Sequence, residues 1–170
     1  MTTTLQANAE KIAFALDDKP AFRRIYVDAL IKLGFQRENI FEFGNGWDAS
    51  MVLRDKKCPS PPAVIITDNE MDSCGEGLEF AGRVKEKFAP EAKILLCSAS
   101  LGTATDRAKK AGIIDAVFEK SSMGDVALAV AELENGKTPE NSIYYAGAVQ
   151  QIANAALAMQ MGKVDSPRVG

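Results

Sequence analysis

The sequence contains no histidine among its 170 residues. Without an imidazole the chain cannot build a Ser-His-Asp triad, a papain-like cysteine site, a histidine-rich metal site or a phosphohistidine carrier. Any phosphoryl chemistry in this chain must therefore be carried by carboxylates.

A large excess of charge of one sign is also missing. The chain has 23 acidic and 20 basic residues, a net charge of −3. This balance lacks the excess of positive charge with which proteins bind the phosphate backbone of nucleic acids or anionic lipids. We therefore expect no direct nucleic-acid binding.

Cysteine is scarce and carries no recognisable pattern. Cys58, Cys74 and Cys97 are odd in number and form no Cys-x-x-Cys pair, which favours reduced packing thiols in a cytoplasmic protein.

The first ten residues lack the basic and apolar regions of a secretory signal, so we interpret them as a loose leader.

Short runs rich in apolar and β-branched residues alternate with segments of helical period. Residues 63–67 and 93–98 are continuously apolar, as in strands that are covered on both faces. The pattern predicts an α/β fold with a doubly wound parallel sheet of flavodoxin-like strand order 2-1-3-4-5. The predicted strands are 11–16, 39–43, 63–67, 93–98 and 115–120, and the predicted helices are 20–33, 47–56, 77–88, 103–111 and 123–134.

Polar side chains stand at the ends of four of these strands. Asp17 and Asp18 follow the first strand, Asp68 the third, Ser98 the fourth and Lys120 the fifth. The carboxyl ends of parallel strands converge on one crevice, where three carboxylates would repel one another unless a cation holds them. Mg²⁺ prefers such hard oxygen ligands, so we expect a magnesium site.

Four motifs in this order resemble the receiver domain of two-component response regulators, over about residues 9–135. They are the acid pair in "LDDKP", the aspartate in "IITDNEM", the hydroxyl in "CSAS" and the lysine in "VFEKS". The resemblance implies that Asp68 accepts a phosphoryl group from a histidine kinase, a phosphotransfer protein or a small phosphodonor.

The resemblance also implies the ligands of the metal. Asp18, Asp68 and the backbone carbonyl of Glu70 would hold Mg²⁺, and Asp17 would act directly or through a bound water. The chain would then not be an enzyme beyond its own Mg²⁺-dependent phosphorylation and dephosphorylation.

Two further side chains receive roles from the resemblance. Ser98 would donate to a phosphoryl oxygen, and Lys120 would pair with the phosphoryl charge and with Asp68. Glu70 and Ser100 would occupy the variable positions that tune hydrolysis of the acyl phosphate.

The chain departs from the family pattern at three places. Asp72 stands where a proline is usual, in a loop that is one residue longer, and Ser121 replaces the proline that usually follows the lysine. Val117 occupies the position of a Tyr or Phe that swings on activation, and Phe118 lies one place further on. These departures predict a reshaped loop, a different turn after Lys120 and a missing or relocated aromatic switch.

Beyond a domain of residues 1–136, we expect a C-terminal extension of residues 137–170. Thr138 and Pro139 suit a helix start, and the helix should run to Gly162 and be followed by a frayed tail. Its glutamines and asparagine argue against a membrane span. An apolar stripe favours packing against a second copy or a partner over folding back on its own domain; its residues are Tyr145, Val149, Ile152, Ala156 and Met159.

The predicted function is a stand-alone response regulator that signals through association with a partner protein or with a second copy of itself. One alternative is a pseudo-receiver that binds partners without being phosphorylated. Another is a phosphohydrolase of the haloacid dehalogenase type, but Lys19 stands where that chemistry needs the second acid of Asp-x-Asp.

Overall fold

The computed structural model describes residues 7–99, 102–120 and 124–162. Its strands are β1 (Ile12–Leu16), β2 (Ile40–Phe43), β3 (Pro62–Asp68), β4 (Lys93–Ser98) and β5 (Ala116–Glu119). Its helices are α1 (Pro20–Lys32), α2 (Gly46–Arg54), α3 (Glu76–Arg83), α4 (Thr103–Lys110), α5 (Gly124–Glu134) and α6 (Tyr145–Gln160). Each strand lies within one residue of its predicted bounds.

The five strands form one parallel sheet in the order β2-β1-β3-β4-β5. The chain therefore has the flavodoxin-like doubly wound fold that the sequence predicted. The central strands β1, β3 and β4 are buried along nearly their whole length because helices cover both faces.

Alternate residues of each strand point to opposite faces and build two cores. Phe14, Ile65 and Leu96 face one side, where they pack with residues of α2, α3 and α4. Ala15, Ile66 and Leu95 face the other side, where α1, α5 and α6 lie. The helix that follows each strand is thereby fixed to one side of the sheet.

Helix α6 belongs to the second core, which overturns the preferred prediction that it leaves the domain. It packs against α1 and α5 and also contacts β4 and β5. The apolar stripe that was expected to meet a partner is buried within the chain's own core; its members are Tyr145, Val149, Ile152, Ala156 and Met159. The pattern was recognised correctly, but an apolar stripe does not specify which surface covers it.

The start of this helix also differs from the prediction. Pro139–Asn141 form a separate 3₁₀ turn after Thr138, whose side chain makes no capping hydrogen bond. The α-helix begins only at Tyr145, whose hydroxyl donates to Asp28 Oδ2 and to the carbonyl of Arg24 on α1. The phenol therefore ties the first turn of α6 to α1.

The segment just before β1 is held in place rather than loose. Asn8 is 1% exposed, and its side-chain amide donates to the carbonyl of Leu33 and to Gln160 Oε1. Gln160 returns a hydrogen bond to Asn8 Oδ1, so the two amides pair. The expectation of a loose leader is wrong for residues 7–10, while residues 1–6 and the predicted tail at 163–170 lie outside the described residues.

All three cysteines are free thiols, with Cys97 buried and Cys74 exposed. Burial raises the pKa of Cys97 to about 12, so this thiol stays protonated and acts as a packing group.

Within the described ranges, every helix falls short of the length and apolarity needed to cross a bilayer.

Candidate functional site

The carboxyl end of β1 delivers two aspartates with opposite surroundings. Asp17 is fully buried, and the backbone N–H of Lys19 donates to its Oδ1 at 3.0 Å. Arg23 Nη1 donates to the backbone carbonyl of Asp17 at 2.7 Å, so this arginine ties the following helix, α1, to the end of β1. Asp18 is exposed and faces the opening of the site.

The end of β3 places Asp68 beside this pair. Asp68 is 5% exposed, and the backbone N–H of the next residue, Asn69, donates to the carbonyl of Cys97 on β4 at 3.0 Å. Helix α3 begins directly against this turn, where Gly77 N–H donates to the carbonyl of Asn69 at 3.0 Å. A Cβ at Gly77 would lie 2.1 Å from the backbone oxygen of Asp68, so the close approach requires glycine.

Lys120, directly after β5, bridges the two buried carboxylates. Its Nζ lies 2.9 Å from Asp17 Oδ2 and 3.0 Å from Asp68 Oδ1. The ammonium also sits over the ring of Phe22 on α1, 3.8 Å from the ring centroid. This cation–π contact and the two ion pairs hold the lysine head inside the site.

A tyrosine that the sequence reasoning did not single out completes the surroundings of Asp17. Tyr26, on α1, is fully buried and donates its hydroxyl to Asp17 Oδ2 at 2.9 Å. In the sequence it resembles any aromatic residue on the buried face of a helix. Only its position nine residues after Asp17, in a helix that starts beside that residue, connects it to the site.

Burial dominates the electrostatics of the two inner carboxylates. It raises the pKa of Asp17 to about 6, an effect that Lys120 opposes and that the neighbouring charge of Asp68 reinforces. Burial also raises the pKa of Asp68, again against the effect of Lys120. Burial alone would lower the pKa of Lys120, but the two carboxylates outweigh it and the pKa is raised.

The arrangement fits a divalent cation. Asp17, Asp18 and Asp68 each offer a carboxylate oxygen, and these oxygens lie within 4.8 Å of one another. Lys120 offsets only one of the three negative charges, so two remain for a cation to balance. Hard oxygen ligands, one of them exposed and open to water, are the donor set that Mg²⁺ favours.

The remaining predicted residues lie around the same place. A cleft of about 340 Å³ opens between the strand ends and is lined in part by Asp18, Asp68, Glu70 and Lys120. Ser98 ends β4 and is buried, and the next residue, Ala99, lines the cleft. Ser100 and Ser121, which the sequence interpretation also named, lie outside the described residues.

The loop after Asp68 is organised by a buried carboxylate. Glu76 Oε2 accepts the backbone N–H groups of Asp72 and Ser73 at 2.8 and 3.3 Å, and Oε1 accepts that of Gly46 at 2.7 Å. A proline at position 72 would have no backbone N–H and could not make the first of these hydrogen bonds. The presence of Asp72 instead of proline therefore allows Glu76 to bind this loop. Glu76 links the loop beside the site to the first turn of α2.

The side chains at the aromatic switch position are arranged differently from the family pattern. Val117 is half-buried and packs with the α2, α3 and α4 core. Phe118 is 2% exposed and packs in the opposite core, with α1, α5 and α6. The neighbouring aromatic therefore points to the other face of the sheet.

No protein-family model and no curated protein sequence matches the chain. Solved structures do match. The RcsB response regulator of Salmonella typhimurium has 19% identity and a TM-score of 0.59 over 95% of this chain, which spans only 64% of that protein. The phosphorylated cyanobacterial phytochrome response regulator RcpA has 19% identity and a TM-score of 0.55, covering 75% of this chain and 93% of its own.

The chemotaxis response regulator CheY4 of Vibrio cholerae gives a similar result. It has 18% identity and a TM-score of 0.51, and the match covers 84% of this chain and 98% of that one. At such identities the likeness concerns the fold. The chain has the fold of response regulator receiver domains, with its acidic cluster at the carboxyl ends of the strands.

Proposed function

We propose that this chain, with its receiver fold, is a response regulator that accepts a phosphoryl group on Asp68 in a Mg²⁺-dependent reaction. One observation carries the proposal: Asp18, Asp68 and Lys120, from three strand ends, line a single cleft, and the buried Asp17 pairs with Lys120 beside it. Two buried carboxylates side by side are unfavourable for stability, so their placement calls for a functional reason. Together with a lysine and an exposed third acid, they provide the charged groups that phosphoryl transfer uses for positioning and charge neutralisation.

The phosphoryl donor would be a histidine kinase or a phosphotransfer protein. An oxygen of Asp68 forms a bond to phosphorus while the P–N bond of the donor's phosphohistidine breaks, and the leaving imidazole nitrogen keeps the bonding pair. Because this chain has no histidine, the phosphohistidine belongs to another protein. A small acyl phosphate would serve in the same way.

The residues of this chain would position the groups and balance their charge. Asp17, Asp18 and Asp68, with the carbonyl of Glu70, would hold Mg²⁺, which when bound neutralises charge on the transferring phosphoryl oxygens. Lys120 would supply a second positive charge, and the hydroxyl of Ser98 would donate to a phosphoryl oxygen. The chain would turn over no substrate other than its own acyl phosphate.

Output would come from association with another protein. The stripe of α6 is buried in the chain's own core and is not available for pairing, so any homodimer would use another surface. The charge change at Asp68 would bias the loops at the strand ends between two arrangements.

Beryllofluoride, a mimic of the phosphoryl group, tests the proposal. In calorimetric titrations with Mg²⁺ present, the wild-type protein should bind it, and Asp68→Asn should not. Asp72→Asn is the matched control, because Asp72 is an exposed acid in the same loop whose known contact is through its backbone N–H. Absence of binding by the wild type would instead indicate a pseudo-receiver that is not phosphorylated.

A further inference from the structure

The hydroxyl of Tyr26 is not accounted for by packing. The ring lies in the core on α1 and is fully buried, a position that phenylalanine would fill equally well. The hydroxyl adds a polar group that needs a buried partner, and its partner is Asp17 Oδ2 at 2.9 Å. A buried phenol on a buried carboxylate of the site calls for a functional reason.

The contacts of Asp17 suggest what the hydroxyl does. Its Oδ1 accepts the backbone N–H of Lys19, while Oδ2 accepts both Tyr26 and Lys120. Lys120 is shared with Asp68, at nearly the same distance. If Lys120 turned toward a group on Asp68, Oδ2 would still keep one donor, and that donor is Tyr26.

The surroundings make this exchange possible within one packed unit. Phe22 lies under the Lys120 ammonium, and its ring centroid is 6.2 Å from that of Tyr26 on the same helix. The two aromatic residues of α1 therefore contact both partners of the ion pair. Phe22 contacts the lysine and Tyr26 the aspartate, and neither aromatic side chain carries a charge.

We propose that Tyr26 is a positioning residue whose neutral hydroxyl holds Asp17 in place and so frees Lys120 to serve the phosphoryl group on Asp68. This inference rests on the proposed function. It follows from the two donors on one carboxylate oxygen: without the neutral donor, Lys120 is the one remaining side-chain donor to Asp17 Oδ2, so withdrawing Lys120 becomes costly.

Tyr26→Phe tests the inference because it removes only the hydroxyl. At saturating Mg²⁺, the affinity for beryllofluoride should fall about tenfold, the size expected for one hydrogen bond to a charged group. The affinity for Mg²⁺ alone should change by less than about threefold, because Lys120 stays on Asp17 in that state. A purely structural role would not separate these two affinities.

Tyr145→Phe is the matched control. Tyr145 is also a buried tyrosine whose hydroxyl donates to a carboxylate, that of Asp28, but it anchors α6 on α1 away from the cleft. This variant should bind beryllofluoride like the wild type. Equal affinities of both variants and the wild type would overturn the inference. Failure of the wild type to bind would instead overturn the proposed function.

A measurement on the intact protein covers the case in which Tyr26→Phe does not fold. The chain has only three tyrosines, so a protein carrying ¹³C at the phenolic ring carbon gives three signals. The Tyr26 signal should move when beryllofluoride binds, because its acceptor loses Lys120, and the Tyr145 signal should stay. A Tyr26 signal that does not move would contradict the inference.

Discussion

At the scale of single residues, the site depends on the balance between two buried carboxylates and one lysine. Asp17 and Asp68 both form ion pairs with Lys120. Burial raises the pKa of each carboxyl, and the ammonium of Lys120 lowers it by a smaller amount. The folded protein therefore disfavours the ionised form of these two carboxyls relative to the same groups in water. A divalent cation that binds only the folded state would stabilise the protein by mass action.

This balance predicts a pH dependence of stability. The pKa of Asp17 rises from its ordinary value of 3.8 to about 6 in the folded protein, so protonated Asp17 favours the fold at low pH and the contribution is lost as pH rises through about 6. The shift corresponds to about 3 kcal/mol. Urea unfolding without Mg²⁺ should therefore show that Asp17→Asn gains relative to wild type between pH 4 and pH 7.5.

The same comparison contains its own control. Carboxylates elsewhere in the chain are common to both proteins, so their titration cancels in the difference between wild type and Asp17→Asn. A difference in the free energy of unfolding that stays constant over this pH range would show that Asp17 is not a destabilised buried acid.

Sequence patterns could find the site residues at the strand ends but not the helix residues that support them. Acids and a lysine after buried strands are conspicuous, and parallel topology brings such ends together. Tyr26, Phe22 and Glu76 carry no comparable signal, because an aromatic on a helix face and an acid near a helix start are both common. Their roles appear only when the side-chain contacts are known.

At the scale of elements, the junction of β3 and α3 fixes the backbone of Asp68. Gly77 lets the first turn of α3 touch the carbonyl of Asp68, while Glu76 gathers the loop amides beside it. Two adjacent residues position this junction: Gly77 by close backbone contact with Asp68, and Glu76 by hydrogen bonds to the loop that follows Asp68. Displacing α3 would therefore displace Asp68.

Gly77→Ala tests this junction. The added methyl group would meet backbone atoms at 2.1 and 2.7 Å, so the turn at Asp68 must shift. We expect a loss of stability of about 1–3 kcal/mol and weaker Mg²⁺ binding in calorimetry.

Gly82→Ala on the same helix is the control for this substitution. A Cβ there meets nothing within 4 Å. Because alanine is the better helix former, this variant should gain up to about 1 kcal/mol and keep its Mg²⁺ affinity. Equal behaviour of the two variants would contradict the role assigned to the junction.

Helix α6 shows where a correct pattern leads to a wrong interpretation. The stripe was visible in the sequence, and so was the need to cover it, but a second copy and the chain's own α1 and α5 offer the same apolar chemistry. The break between Pro139–Asn141 and Tyr145 was missed because proline and a capping residue suit a 3₁₀ turn as well as a helix start.

At the scale of the whole molecule, the C-terminal helix completes one of the two cores. It lies with α1 and α5 on one face of the sheet, and Asn8 and Gln160 pair across the two ends of the described chain. The division at residue 136 stays a prediction about domain organisation. The strand order, by contrast, was predictable because continuous apolar strands and right-handed crossovers leave few topologies.

Ile152→Ala tests whether α6 is part of the core. Ile152 is 1% exposed, so its truncation should cost about 2–5 kcal/mol. Ile143→Ala is the control, since Ile143 is 77% exposed and its truncation should change stability by less than about 0.5 kcal/mol. Because the packing is within one chain, the unfolding midpoint of Ile152→Ala should not depend on protein concentration, whereas packing between two copies would make it do so.

The most direct test of the account is the mass of the intact protein after incubation with acetyl phosphate and Mg²⁺. The account predicts that the wild-type chain gains one phosphoryl group, that Asp68→Asn gains none, and that chelation of Mg²⁺ abolishes the gain. A wild-type chain whose mass does not change, or an Asp68→Asn variant that gains the same mass, would contradict the claim that this acidic cluster carries phosphorus on Asp68.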